Sequence, residues 1–315
     1  MTRKGWRVSD IPDQSGRTFV VTGANSGLGL EATRALAGKG ARVVMACRNM
    51  DKGARAESEV RATHPKADLE LRHLDLSDLG QIRTFAAEVL AAHTRLDVLI
   101  NNAGVMAIPR KETADGFEMQ LGTNHLGHFA LTGLLMPRLL ENAADASRDV
   151  RVVTVSSTAH KMGRMHFDDL QLERGYGDWK AYGQSKLANL LFAFELDRRL
   201  RAAERRVKSL AAHPGYADTD LQAVGPRTSG NRLMGGVMKV LNTVAAQPAE
   251  KGTLPELRAA TDPAAQSGQY YGPGGLFERA GPPVVVQAND AANDVADAQR
   301  LWQISEELTG VAYEL

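Results

Sequence analysis

Tyr182 and Lys186, four residues apart in the run AYGQSK, are the side chains of this sequence whose types and spacing most directly suggest chemistry. A phenol with a pKa of about 10 is a poor proton donor or acceptor at neutral pH, and an adjacent ammonium lowers that value by favouring the phenolate. Behind the pair, LANLLFAFELDRRL places Leu187, Leu190, Leu191, Phe194 and Leu200 near the helical period. The pattern predicts an amphipathic helix with the pair at its start, where Tyr182 and Lys186 share one face. Y-x-x-x-K alone equally describes a tyrosine beside a solvated lysine, so a tuned acid/base requires that other parts of a site accompany it.

A second motif supplies one. Directly after the apolar run RTFVVTG comes TGANSGLGLEATRALAGKG, in which Gly23, Gly27 and Gly29 are spaced G-x-x-x-G-x-G and open a helix. Glycines there permit a tight turn and close backbone approach to a pyrophosphate, while the helix N-terminus offers N–H groups and positive potential. A plain strand-to-helix turn also uses glycine, but strand, glycines and helix in succession point to a dinucleotide. The next apolar run ends MACRNM and puts Arg48 where such folds usually present an acid to a ribose 2′-hydroxyl. Arginine instead offers a charge-assisted fork to a 2′-phosphate, which favours NADP(H); Asp51, nearby, keeps NAD(H) open. Asp75 and Leu76 in HLDLSD end a third run, where they could flank an adenine, although N-capping of the next helix explains Asp75 equally well. Of the eight histidines, His125, His128 and His160 lie near these motifs, but no acid or cysteine stands at ligand spacing, and no metal site is expected.

The elements that must position these residues are legible as alternation. Apolar runs at 17–23, 41–48, 69–76, 95–104, 149–157 and 207–215, with a weaker one at 268–275, are separated by helix-length segments. That is the pattern of a parallel sheet with helices on both faces, in which ligands bind outside the carboxyl ends of the strands. No low-complexity linker interrupts it, so residues 1–315 read as one domain, with about 1–15 a polar N-terminal extension. Two stretches break the rhythm, 158–181 and 216–256. In the second, RLMGGVMKVLNTV puts Leu233, Val237, Val240 and Leu241 on one helical stripe and Met234 and Met238 on an adjoining one, which reads as core or as an adaptable apolar cover. Gly235 and Gly236 weaken a helix there by roughly 1 kcal/mol each relative to alanine.

Composition narrows the function. Thirty-eight basic against 37 acidic residues leave a net charge of +1 with no sustained basic run, which disfavours nucleic acid and leaves a small molecule as the partner. The single cysteine, Cys47, excludes an intrachain disulfide and sits among buried-strand residues. The polar start MTRKGWRVSDIPDQSG lacks a signal peptide's apolar core, and no run of about 18 apolar residues occurs, so a cytoplasmic protein without a membrane anchor is expected.

Three motifs in order, T-G-x-x-x-G-x-G at Thr22 to Gly29, N-N-A-G at Asn101 to Gly104 and Y-x-x-x-K at Tyr182 to Lys186, resemble the short-chain dehydrogenase/reductase family over nearly the whole chain. The phrases TNHLGHFALTGLL, VTVSSTAHKMGRMHFDDLQLE, AYGQSKLANLLF, AHPG and LWQISEELTG are similar to its retinol-dehydrogenase-like branch. The resemblance implies a Rossmann-type, doubly wound, seven-stranded parallel sheet, an NAD(P)(H) cofactor and reversible alcohol-to-carbonyl hydride transfer. It implies that Tyr182 is the acid/base, that Lys186 tunes it and binds the nicotinamide ribose, that Ser157 rather than Ser156 orients the substrate oxygen, and that Asn124 anchors a water linking the lysine to solvent. It extends the cofactor loop to Thr22, Asn25, Ser26 and Leu28, lines the cofactor with Asn102, Ala103 and Gly104, borders the nicotinamide with Pro214 and Gly215, and puts Thr219 near its carboxamide. It makes 216–256 the substrate-covering segment and allows a homodimer through the helices after the fourth and fifth strands.

The branch often carries an N-terminal membrane helix where this chain is polar, so the motif transfers and the substrate does not: an alcohol, aldehyde or ketone with a sizeable apolar part is the expectation. A non-catalytic cofactor-binding sensor or scaffold on the same fold would be expected to lose Tyr182 or Lys186, and an epimerase or dehydratase would more usually carry G-x-x-G-x-x-G. Tyr182, Lys186, Ser157 and Asn124 are all present, which favours the enzyme.

Overall fold

The apolar runs lie side by side in one sheet. The computed structural model describes residues 5–215 and 248–315. Its strands are β1 (Thr18–Thr22), β2 (Arg42–Cys47), β3 (Asp68–His73), β4 (Val98–Asn101), β5 (Arg151–Val155), β6 (Lys208–Ala212), β7 (Tyr270–Pro273) and β8 (Pro283–Val285), in the spatial order β3-β2-β1-β4-β5-β6-β7-β8. The first seven are parallel. The eighth is an addition to the expected seven: β8 runs antiparallel to β7, with Tyr271 opposite Val285 and Pro273 opposite Pro283. Three residues, the first of them the second of two consecutive prolines, are too short to register as a strand pattern, and the pairing rests on the turn that returns them to β7.

Alternation along each strand feeds two cores. Val20, Val44, Leu99 and Val152 point to one side and pack with Phe85, Phe129, Leu135 and Phe192. Phe19, Val21, Val43, Ile100 and Val153 point to the other and pack with Leu36, Val60 and Leu257. The first side is covered by α3 (Leu79–Ala92), α5 (Gly127–Ala143) and α6 (Asp178–Ala202), the second by α1 (Gly27–Ala37), α2 (Met50–Thr63) and α8 (Leu254–Thr261). The short α4 (Met119–Leu121) precedes α5, α7 (Ala249–Gly252) precedes α8, and α9 (Val295–Thr309) lies against α5 and α6. The helices begin where side chains can cap them. Asn49 Oδ1 accepts the Lys52 amide at 2.9 Å to start α2, and Asp78 Oδ1 accepts the Gln81 amide at 3.0 Å to start α3.

The helix carrying Tyr182 differs from its amphipathic expectation. Residues 181–193 of α6 are buried without a break. One face packs on the sheet and the opposite face on α9, where Leu187, Leu190 and Leu191 meet Leu301 in a third apolar cluster. A rim of rings reinforces that contact: Trp302 stands 5.1 Å from Phe129 and 5.8 Å from Phe192, and the Tyr313 hydroxyl donates to the Phe129 carbonyl at 2.7 Å. Ring pairs of this kind contribute roughly 0.5–1.5 kcal/mol beyond the area they bury. The described part of the polar N-terminal extension is likewise docked, with Ile11 2% exposed and the Gln14 amide donating to Lys39 O at 2.8 Å.

Candidate active site

The loops that leave the carboxyl ends of β1, β4, β5 and β6 bring most of the predicted residues together. After Thr22, Gly23 (φ +68°) and Gly27 (φ +52°) turn the chain into α1 through left-handed backbone that disfavours a side chain. A Cβ on Gly29 would fall 2.3 Å from the Gly23 carbonyl oxygen and 2.6 Å from Asn102 Nδ2, so the turn closes only without one. Ser26 enters α1 in extended conformation with no side-chain bond to the helix's first amides, which suits them to an anion. Asn25 and Leu28, half-buried, complete the loop. The turn is fastened to the NNAG segment: Asn102 Nδ2 donates to Thr22 O at 2.8 Å, and the Asn102 and Ala103 amides both donate to Thr22 Oγ1 at 3.0 Å.

Tyr182 sits in the second turn of α6, 5% exposed and hydrogen-bonded to the Ser157 hydroxyl. Burial pushes the phenol up to about 12, the bond from Ser157 pulling the other way. One turn on, Lys186 holds Nζ 5.9 Å from the Tyr182 ring centre and donates to the Val155 carbonyl at the end of β5 at 3.1 Å. Burial brings that ammonium down to about 8. Burial is what moves the phenol: taking the phenolate out of water raises it, and at neutral pH Tyr182 keeps its proton.

The two serines divide. Ser156 Oγ donates to the Lys186 carbonyl at 2.7 Å and is spent on helix backbone, whereas Ser157 faces the phenol and heads the 3-10 turn Thr158–Met162. His160 Nδ1 holds the Ser157 carbonyl at 2.6 Å. Asn124 lies in a π turn, Gly122–Leu126, that joins α4 to α5. Such a turn inserts a residue, re-aims the side chains on it, and recurs at functional sites. Asn124 Nδ2 donates to Val105 O and to Ser185 Oγ, both at 2.9 Å, and Oδ1 accepts the Val105 amide at 2.8 Å. The side chain is thereby clamped between the loop after NNAG and the interval between Tyr182 and Lys186. Gly104 shows how tight the crossing is: a Cβ there would lie 2.9 Å from Asn124 Oδ1 and 3.5 Å from Lys186 Nζ.

Other predicted positions stand further out. Arg48 is exposed immediately after β2, and Asp51 is exposed in the first turn of α2. Asp75 does not cap α3, since Asp78 does; its Oδ1 closes a local turn on the Ser77 amide and hydroxyl at 2.9 and 2.6 Å. The Leu76 side chain packs into the core. Pro214 and Gly215 continue from β6, with Gly215 at φ +69°. Thr219, the stripe Leu233 to Leu241 and residues 216–247 generally lie outside the described residues. Cys47 is a buried strand residue whose thiol burial pushes up to about 12. His125 is occupied, its Nε2 2.9 Å from Ser305 Oγ of α9. Among the described residues no three His, Cys, Asp or Glu side chains are grouped as metal ligands, and no helix is long and apolar enough to cross a membrane.

Ser185 and His128 hold the site together yet were not foreseen as parts of it. Ser185 was available from its place between Tyr182 and Lys186. His128, read only as a possible metal ligand, bonds instead to Thr22 and to the Asn124 carbonyl.

The family model described as short chain dehydrogenase matches residues 17–228. The chain belongs to the short-chain dehydrogenase family. Within it the relatives mark the branch. Human retinol dehydrogenase 12 is 41% identical over 299 residues, 95% of this chain and 88% of that protein. Human retinol dehydrogenase 11 is 49% identical over 206 residues, which are 65% of this chain but only 63% of that relative's length. The solved structure of an uncharacterised protein from Mycobacterium paratuberculosis is 42% identical, covers 99% of this chain and 100% of its own, and superposes with a TM-score of 0.80. This short-chain dehydrogenase therefore sits in the retinol-dehydrogenase-like branch, among oxidoreductases that act on CH–OH and C=O groups.

Proposed function

We propose that this protein is an NADP(H)-preferring oxidoreductase that interconverts an alcohol and a carbonyl. The observation that carries the reading is the buried Tyr182 phenol, hydrogen-bonded to Ser157 and sharing its helix face with Lys186, which stands close to Gly104. A dinucleotide fits the residues present. Side chains at Gly23 and Gly29 would press on Ala103 and on the Gly23 carbonyl, the first amides of α1 carry no capping side chain, and Gly104 lets the backbone pass close to Lys186. The holding residues are Thr22 to Gly29, Arg48, Asp75, Leu76, Asn102 to Gly104, Lys186, Pro214 and Gly215. When bound, the nicotinamide supplies or accepts a hydride at the substrate carbon.

The chain's own residues handle the proton. Ser157 Oγ orients the substrate oxygen against Tyr182. The phenol, protonated at neutral pH because burial raises it, is in the state that donates to a carbonyl oxygen. Lys186, already near neutrality at about 8, can restore that proton, with Asn124 held beside it as the exit. The names of the relatives, and Trp179, 44% exposed with its ring edge-on to Tyr182 at 6.0 Å, support a substrate with an apolar part.

The test is binding of NADPH and NADH by fluorescence to the wild-type protein and to Arg48→Ala, followed by nonanal and retinal as carbonyl probes. NADPH should bind more tightly than NADH. Loss of a charge-assisted fork to the 2′-phosphate should weaken NADPH by about tenfold or more and leave NADH unchanged. Equal affinities in the wild-type protein would refute the preference, and failure of both nucleotides to bind would refute the reading as a whole.

A further inference from the structure

His128 is buried, 1% exposed, one helical turn after Asn124, and its two ring nitrogens reach opposite halves of the site. Nε2 lies 2.9 Å from Thr22 Oγ1 and Nδ1 lies 3.0 Å from the Asn124 carbonyl oxygen. The tautomer follows from counting protons. Thr22 Oγ1 already accepts the Asn102 and Ala103 amides, each at 3.0 Å, which uses both its lone pairs. Its own proton has two acceptors in reach, His128 Nε2 at 2.9 Å and the Ile100 carbonyl at 3.3 Å. The nearer one takes it, so Nε2 accepts and Nδ1 carries the hydrogen that Asn124 O receives. The opposite tautomer would press a third donor onto Thr22 and turn a bare Nδ1 lone pair at a carbonyl oxygen. Burial, with the Lys186 charge adding to it, brings the imidazole down to about 4 and keeps it neutral.

We infer that His128 is a positioning residue, a neutral Nδ1–H imidazole that fixes the Asn124 carbonyl and ties it to the turn where the dinucleotide is held. The inference rests on the catalytic reading of Tyr182, Lys186 and Asn124. The bond to the histidine fixes the turn that carries Asn124, whose side chain reaches Ser185 between Tyr182 and Lys186. The same imidazole leans on Thr22 Oγ1, the atom that holds the Asn102 and Ala103 amides. The proton exit and the cofactor turn therefore move as one unit, although they belong to α5 and β1.

The test compares His128→Asn with His128→Gln. An asparagine amide takes the place of Nδ1 and can still donate to Asn124 O, whereas a glutamine amide takes the place of Nε2 and reaches only Thr22. With NADPH and nonanal or retinal, whichever the wild-type protein reduces, His128→Gln should lose about tenfold in kcat with KM unchanged and show an enlarged solvent deuterium isotope effect. His128→Asn should stay within about twofold of the wild-type kcat. Independently of turnover, 15N spectra of histidine-labelled protein should show the His128 ring with its hydrogen on Nδ1 from pH 5 to pH 9. Equal kcat and isotope effects in the two variants, or an Nε2–H ring, would overturn the inference. Tyr182→Phe separates the levels. If it abolishes turnover while His128→Gln does not, the positioning role alone fails; if it leaves turnover intact, the catalytic reading fails and the inference goes with it.

Discussion

Glu256→Gln should make this protein more resistant to unfolding in alkali than in acid, relative to the wild type. Glu256 lies in α8, 2% exposed; its Oε1 is 2.5 Å from the Thr253 hydroxyl and its Oε2 has no partner. Burial raises the carboxyl from 4.5 to about 7, against the pull of the Thr253 bond. In the unfolded chain the same acid ionises near its ordinary value, so between the two values the unfolded state binds fewer protons and stability falls as pH rises. At about 1.4 kcal/mol per pH unit that interval removes roughly 3 kcal/mol, nearly all of it in place above pH 8. Glutamine has no charge to bury, and the cost of its extra N–H is the same at every pH. Urea denaturation followed by circular dichroism at pH 5 and pH 8.5 should find the variant's advantage larger at the higher pH by about 2–3 kcal/mol. An offset that is the same at both pH values would refute the argument. It would mean that the carboxylate ionises in the folded protein as easily as in the unfolded chain.

Two further outcomes follow from the site. Lys186→Met should yield a protein that is inactive yet more stable at pH 7, by about 2–3 kcal/mol, because folding depresses the lysine from 10.5 to about 8 and a buried cation is removed. The Val155 carbonyl is not orphaned by the change, since Asn189 Nδ2 also donates to it at 3.0 Å; an unchanged or lower urea midpoint would count against the idea. Gly104→Ala should lower stability by roughly 1–3 kcal/mol and depress turnover, since the new methyl must displace Asn124 Oδ1 from 2.9 Å; wild-type melting and kcat together would show that the loop yields freely.

Local patterns carried much of this architecture. The apolar runs named the seven parallel strands, most clearly β1, β4 and β5, which are buried along their whole length; β3 is a partly exposed edge strand whose residues alternate, and β7 registered only weakly. The glycine turn was legible because left-handed backbone at Gly23 and Gly27 narrows the choice of residue. What escaped depends on contacts made across the fold. The helix of Tyr182 read as amphipathic from its leucine period, yet its polar Gln184, Ser185, Lys186 and Asn189 are also buried, bonded to His166, Asn124 and Val155 elsewhere in the fold. A sequence shows the ammonium near Tyr182, but the burial that raises the phenol comes from the packing around the ring. No spacing rule could join His128 to Thr22, which stand 106 residues apart.

The antiparallel strand at the rim bears on how copies of the molecule meet. Backbone donors in such a strand face alternately inward and outward, and an incoming chain can extend the sheet only by using the outward set. Pro282 and Pro283 are consecutive, so whichever alternation holds, one outward donor is missing at the mouth of β8. The strand is also only three residues long, with Val284 and Val285 38% and 51% exposed. A sheet this large, with an apolar outermost strand, would otherwise be a template for fibril growth. Two prolines make that edge a poor seed.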